Sequence, residues 1–202
     1  MESGSAMVTV MRPPGADADA IRASWQNADQ FAALYDRYAE QLYRYAYQRV
    51  GAAAAEDVVA ETFLHAFARR GSYDVERPDA RPWLFGILTK VIGSHHRSEQ
   101  AHLRALARSA PTPTVDGLAD RVASRVAAAA VRRPLVAALA ALPARDRDVL
   151  LLVAWGGLSY EEVAAALRIA PGTVASRLNR ARRKVRAAFG GANPTDETED
   201  NP

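Results

Sequence analysis

Ser159-Tyr160-Glu161-Glu162 opens a short helical stretch, Arg168-Ile169-Ala170 interrupts it, and Pro171 opens a second, longer and basic one. A serine followed three residues later by glutamate forms a capping box. Hydroxyl and carboxylate each take a backbone N–H that the first helical turn leaves without a partner. Proline suits the first turn of the next helix, because the N–H it lacks would have no acceptor there. A short helix, a three-residue turn and a longer basic helix make a helix-turn-helix, whose second helix enters the major groove of DNA.

Helical phase sorts that second helix into two faces. At about 100° per residue, Val174, Leu178, Ala181 and Val185 return to one side. Ser176, Asn179, Arg180 and Arg183 then point outward, with Arg177 and Arg186 on the flanks. Arginine and asparagine can contact guanine and adenine edges with two hydrogen bonds. Residues later in the helix suit phosphates, which position without specifying. Arg168, Arg177, Arg180, Arg182, Arg183, Lys184 and Arg186 form a block with no acidic residue among them. Such density points to a polyanion, most often nucleic acid. Charge alone leaves open an amphipathic packing helix with a solvated outer face.

The 202 residues, 49% of them hydrophobic, suffice for one ordinary domain or two small ones. Residues 1–28 read as a flexible leader, with Pro13, Pro14 and Gly15 beside alternating Ala and Asp. From Asp29, Phe31, Leu34, Tyr35, Tyr38, Leu42, Tyr43, Ala46 and Val50 make a helical stripe that Gly51 ends. Val58, Val59, Thr62, Phe63, Ala66 and Phe67 give a second helix from about Glu56 to Arg70. A polar loop follows, and then a helix with Trp83, Leu84, Ile87, Leu88, Val91 and Ile92 that runs out near Ser98. This first domain spans 29–98. Large side chains thin out over 99–131, which reads as a linker. A second domain covers 132–189, and an acidic tail with Asp196, Glu197, Glu199 and Asp200 covers 190–202. Strand-like alternation is absent, so the fold class is all-α: two small helical domains joined by a flexible linker, the C-terminal one a helix-turn-helix.

Several classes of function are excluded. No apolar run approaches the roughly 20 residues of a membrane span, so no membrane insertion is expected. The N-terminus lacks a secretion signal pattern. Zero cysteines remove disulfides, thiolate zinc sites and cysteine nucleophiles, and fit a cytoplasmic location. No phosphate loop or paired nucleophile and base occurs, so an enzyme is not expected. His95 and His96, adjacent on a helix, diverge by about 100° and do not share a metal. His65 and His102 have no ligand-like neighbours in sequence. No metal or other cofactor is expected.

Leu158-Ser159-Tyr160-Glu161-Glu162-Val163-Ala164 with Gly172-Thr173-Val174-Ala175-Ser176-Arg177-Leu178-Asn179-Arg180-Ala181-Arg182 resembles region four of bacterial sigma factors of the extracytoplasmic-function (ECF) group. Leu142-Pro143-Ala144-Arg145-Asp146-Arg147-Asp148-Val149-Leu150 is similar to the start of that domain. Ala55-Glu56-Asp57-Val58-Val59-Ala60-Glu61-Thr62-Phe63 resembles the family's region two. Arg81-Pro82-Trp83-Leu84-Phe85-Gly86-Ile87 resembles its promoter-melting helix. The chain departs from family habit at Ala60 (usually glutamine), Lys90 (commonly asparagine), Arg168 (usually glycine) and Ala175 (often lysine).

The resemblance implies a factor that binds core RNA polymerase and promoter DNA and directs promoter-specific initiation, with an anti-sigma factor as a further partner. By position, Asp57 and Glu61 match the polymerase contacts, four apart on one helix face. Tyr73, Arg81, Lys90, His95 and Arg97 match the minus-ten DNA contacts. Tyr73 lies in the loop that the family uses to capture a flipped base, where stacking contributes roughly 1–3 kcal/mol. Trp83 reads instead as core. Thr173, Ser176, Arg177, Asn179, Arg180 and Arg183 match the minus-thirty-five contacts. A helix-turn-helix regulator of another class, with an N-terminal interaction domain, is the alternative. Such a regulator has no use for an acidic docking helix beside a melting helix.

Overall fold

The computed structural model describes residues 16–108 and 134–189. Every regular element among them is helical. In chain order these are α1 (Ala16–Ala23), α2 (Ala32–Val50), α3 (Ala52–Ala68), α4 (Arg81–Ser94), α5 (His96–Arg108), α6 (134–141), α7 (Ala144–Ala154), α8 (Tyr160–Leu167) and α9 (Pro171–Ala187). The apolar stripe read from the sequence supplies the first core: Leu34, Tyr38, Leu42 and Ala46 of α2 meet Val58, Phe63 and Ala66 of α3 and Leu84, Leu88 and Ile92 of α4. Gly51 stops α2 at φ 81°, a value that L side chains rarely adopt. The second core joins Val149 and Leu152 of α7, Val163 of α8, and Val174, Leu178 and Ala181 of α9.

The structure corrects the leader. Part of 1–28 is folded: α1 packs on α2, with Ala18 and Ile21 buried and Asp17 fully enclosed. Its apolar face is two residues wide, too little for periodicity to register. What holds α1 is polar and distant in sequence, since Asp17 accepts from the backbone N–H of Ala80 at 2.9 Å.

A second correction concerns the linker. The helix read as ending near Ser98 breaks at His95, and α5 then carries ten residues of the expected linker back along α2. Glu99 and Leu103 on it are buried. Leu103 fills the apolar side, and Glu99 meets the Arg49 guanidinium at 2.5 Å. α3, the helix read as starting near Glu56, starts at Ala52, one turn earlier, because the alanines 52–55 extend it at little entropic cost. Residues 1–15, 109–133 and 190–202 lie outside the described residues, and with them most of the linker and all of the acidic tail.

Across the two cores α4 packs directly on α8. Gly86 makes that approach possible, since a Cβ on it would collide with the Ala166 carbonyl. The halves therefore meet backbone to backbone at one point.

Candidate polymerase and promoter interface

The helix-turn-helix forms as its sequence dictates. Ser159 Oγ accepts from the Glu162 N–H at 3.1 Å, and Glu162 Oε2 accepts from the Ser159 N–H at 2.7 Å. Arg168 closes α8 in the left-handed conformation at φ 53°, ψ 49°, so the turn keeps the geometry that glycine would give. Pro171 stands in the first turn of α9. Val174, Leu178 and Ala181 are fully buried, whereas Ser176, Asn179, Arg180 and Arg183 are exposed. Thr173 and Arg177 are half-buried on the flanks. Arg180 is not a free side chain: its Nε lies 3.3 Å from Oδ2 of Asp146, a buried carboxylate on α7. The Ser176 hydroxyl donates to the Thr173 carbonyl at 3.0 Å.

On α3, Asp57 is exposed and Glu61 half-exposed, one turn apart. Leu64, at 70% exposure the most exposed large apolar residue described, continues that face. Its phase was readable from the sequence; its lack of cover was not. Glu61 is held by two histidines, His95 Nε2 at 3.2 Å and His65 Nε2 at 3.2 Å. The His95 hydrogen bond, seconded by His65 and opposed by desolvation, holds its carboxyl below the usual range. His65, isolated in the sequence, thus has a partner. His95, expected on the DNA side, stands beside a residue expected on the polymerase side.

The remaining minus-ten candidates divide. Tyr73 is 6% exposed; its ring packs on Trp83 with centroids 4.9 Å apart, and its hydroxyl donates to the Arg77 carbonyl at 2.6 Å. Trp83 is half-buried against the core, as expected. Lys90 is exposed on α4. Arg81 is occupied, donating to Glu162 Oε1 at 2.8 Å and to the Gly156 carbonyl at 2.5 Å. The Arg97 side chain lies outside the described residues.

Residues 34–102 match the family model described as Sigma-70 region 2, and residues 132–185 match Sigma-70, region 4. Over 157 residues the chain is 40% identical to the ECF RNA polymerase sigma factor SigL of Mycobacterium tuberculosis, covering 76% of this chain and 85% of SigL. This chain belongs to the ECF sigma factors. It is also 39% identical over 100 residues to the ECF RNA polymerase sigma factor BldN of Streptomyces coelicolor, covering 46% of this chain and 38% of BldN. Among solved structures it is similar to CnrH in complex with the cytosolic domain of CnrY. That match has 26% identity and a TM-score of 0.60, over 88% of this chain and 99% of CnrH. The sigma factor RpoE of Bartonella quintana, in complex with the anti-sigma factor NepR, matches at 25% identity and a TM-score of 0.54, over 81% of this chain and 98% of RpoE.

As an ECF sigma factor the protein binds core RNA polymerase and promoter DNA and directs promoter-specific initiation; its family are initiation factors rather than enzymes. In this sigma factor regions 2 and 4 are locked together by charge as well as by α4 and α8. Arg49 of α2, 2% exposed, lies 2.5 Å from Glu99 of α5 and 2.9 Å from Asp148 of α7. Arg147 of α7 reaches the other Glu99 oxygen at 2.9 Å. Burial raises the Asp148 carboxyl above its ordinary value, against the pull of Arg49. The lock is imperfect, because Arg147 Nε is buried with no acceptor. A cleft of about 680 Å³ runs between the regions, bordered by Tyr73 and Arg77 on one side and Arg168 and Pro171 on the other.

Proposed function

We propose that this ECF sigma factor docks on core polymerase through the α3 face carrying Asp57, Glu61 and Leu64. The 71–80 loop and α4, with Tyr73, Arg81, Lys90, His95 and Arg97, meet and open the minus-ten element. α9 reads the minus-thirty-five element through Thr173, Ser176, Arg177, Asn179, Arg180 and Arg183. The protein catalyses no reaction itself and works in the cytoplasm beside the polymerase. The observation that carries this reading is the burial pattern of α9. One face is sealed by Val174, Leu178 and Ala181, and the opposite face presents arginine and asparagine to solvent.

The arrangement with regions 2 and 4 in contact is a resting one. Minus-ten and minus-thirty-five elements lie about 25 base pairs apart, roughly 85 Å of duplex at 3.4 Å per pair. A compact body of roughly 150 residues has a radius of gyration of only about 15 Å, so the closed protein cannot touch both. An anti-sigma factor that favours this closed form is the partner the reading implies; the similar RpoE is solved with the anti-sigma factor NepR bound, and CnrH with the cytosolic domain of CnrY. Run-off transcription with core polymerase, with and without this protein, tests the proposal. Initiation from promoters selected in both elements supports it. Failure to bind core in a pull-down overturns it.

A further inference from the structure

We propose that α1 is a positioning element for the minus-ten loop and that Asp17 is its positioning residue. The inference rests on the reading of the 71–80 loop as the minus-ten contact. α1 lies before residue 34, where the match to region 2 begins, and nothing in that match assigns it a task. Yet the segment grips both feet of the loop.

At the far foot, Ala80 caps α4 without a capping side chain of its own. Asp17 supplies one from 63 residues away: its Oδ2 accepts the Ala80 N–H at 2.9 Å. The Tyr38 hydroxyl lies 2.6 Å from the same Oδ2 and 3.0 Å from Oδ1 of Asp79, which in turn accepts the Arg81 N–H at 2.9 Å. Arg37 donates to the other Asp17 oxygen. At the near foot, the Trp25 indole donates to the Arg70 carbonyl at 3.3 Å, and Arg70 Nε donates to the Ser24 carbonyl at 3.3 Å. Between these anchors Asp74, Glu76, Arg77 and Pro78 stand exposed at the tip.

Stability alone does not call for this arrangement. A fully buried carboxylate is costly to desolvate, and well-packed apolar residues commonly serve as well or better in such places. A carboxylate does something that an apolar side chain cannot. It fixes the direction of one backbone N–H, and with it the point at which the loop turns into α4, and its charge suits the positive N-terminal end of that helix. The loop tip is thereby presented at one angle relative to Arg81 and Trp83.

The test compares three variants of the full chain, Asp17→Ala, Arg37→Ala and Arg77→Ala, in transcription from libraries randomised in either element, alongside core binding and thermal unfolding. Arg37→Ala breaks the ion pair but leaves the Ala80 anchor. It is expected to lower the unfolding midpoint and leave minus-ten preference unchanged. Asp17→Ala is expected to relax minus-ten preference about tenfold, the scale of one lost base-pair preference. Core binding and minus-thirty-five preference should stay unchanged, and a pre-melted template should restore its output. If Arg77→Ala shifts minus-ten preference and Asp17→Ala does not, the positioning role falls and the loop assignment stands. If neither shifts it, both fall. Should Asp17→Ala fail to fold, Trp25→Phe decides, because it removes the anchor at the near foot and leaves the buried carboxylate in place. Relaxed minus-ten preference then supports the positioning role, and unchanged preference while Arg77→Ala shifts it overturns the role.

Discussion

Arg168 holds a left-handed conformation that costs an L residue roughly 1–2 kcal/mol and glycine almost nothing. Replacing it by glycine should therefore stabilise the protein by about 1 kcal/mol, read as a rise in the thermal midpoint. No rise would mean that Arg168 recovers the strain through contacts at the cleft it borders. Along α9 the arginines are not equivalent. Arg180 is steered by Asp146 near the middle of the helix, whereas Arg183 is exposed one turn later. Arg180→Ala should change which upstream sequences are tolerated, by ~1–3 kcal/mol at one position. Arg183→Ala should weaken all upstream sequences alike and lower the salt slope by about one unit. Binding across a promoter library and a salt series separates the two. Equal, sequence-independent losses would show that Arg180 also holds a phosphate.

Among the helices, α3 offers the cleanest test of docking. Asp57→Lys should weaken core binding while shifting stability by no more than ~0.5 kcal/mol, since it is an exposed helix charge. Glu61→Lys is expected to weaken binding too, but with a loss of stability, because it sets a cation between His65 and His95. Pull-down and thermal melts on each single variant distinguish the effects, and full core affinity in Asp57→Lys would move the docking face elsewhere. How legible each element was follows from the range of what stabilises it. The helix-turn-helix was readable to the residue, since its capping box, its turn and the Val174–Leu178–Ala181 stripe are all local signals. α1 and the start of α5 were not. Asp17 is held by Ala80 across 63 residues, and Glu99 by Arg49 across 50, and no window on the sequence joins such partners. The same distance hid the occupation of Arg81 by Glu162.

The whole molecule is two readers folded against each other, and its charges make that contact sensitive to acid. Asp148 titrates above its ordinary value when the regions are together, facing Arg49 of α2 and Glu99 of α5, with Arg147 beside it. Closure therefore takes up a proton: it is strongest below the ordinary carboxylate range and weakens as pH rises through the raised value. A fluorescence-transfer pair on α3 and α9 should report a more open population above the raised Asp148 value than below it, and Asp148→Asn should flatten the curve. Gly86→Ala tests the apolar half of the contact. Alanine favours helix by about 1 kcal/mol over glycine, so α4 should persist while its collision with the Ala166 carbonyl parts the regions. Scattering that shows an unchanged radius of gyration would refute this. The same glycine bears on heredity. Every missense change in a glycine codon adds a side chain at least as large as a methyl, and at position 86 each of them strikes the same carbonyl. Strains selected for raised transcription from this factor's own promoters should therefore gather independent lesions at that codon, so that a single base change suffices to part the two regions.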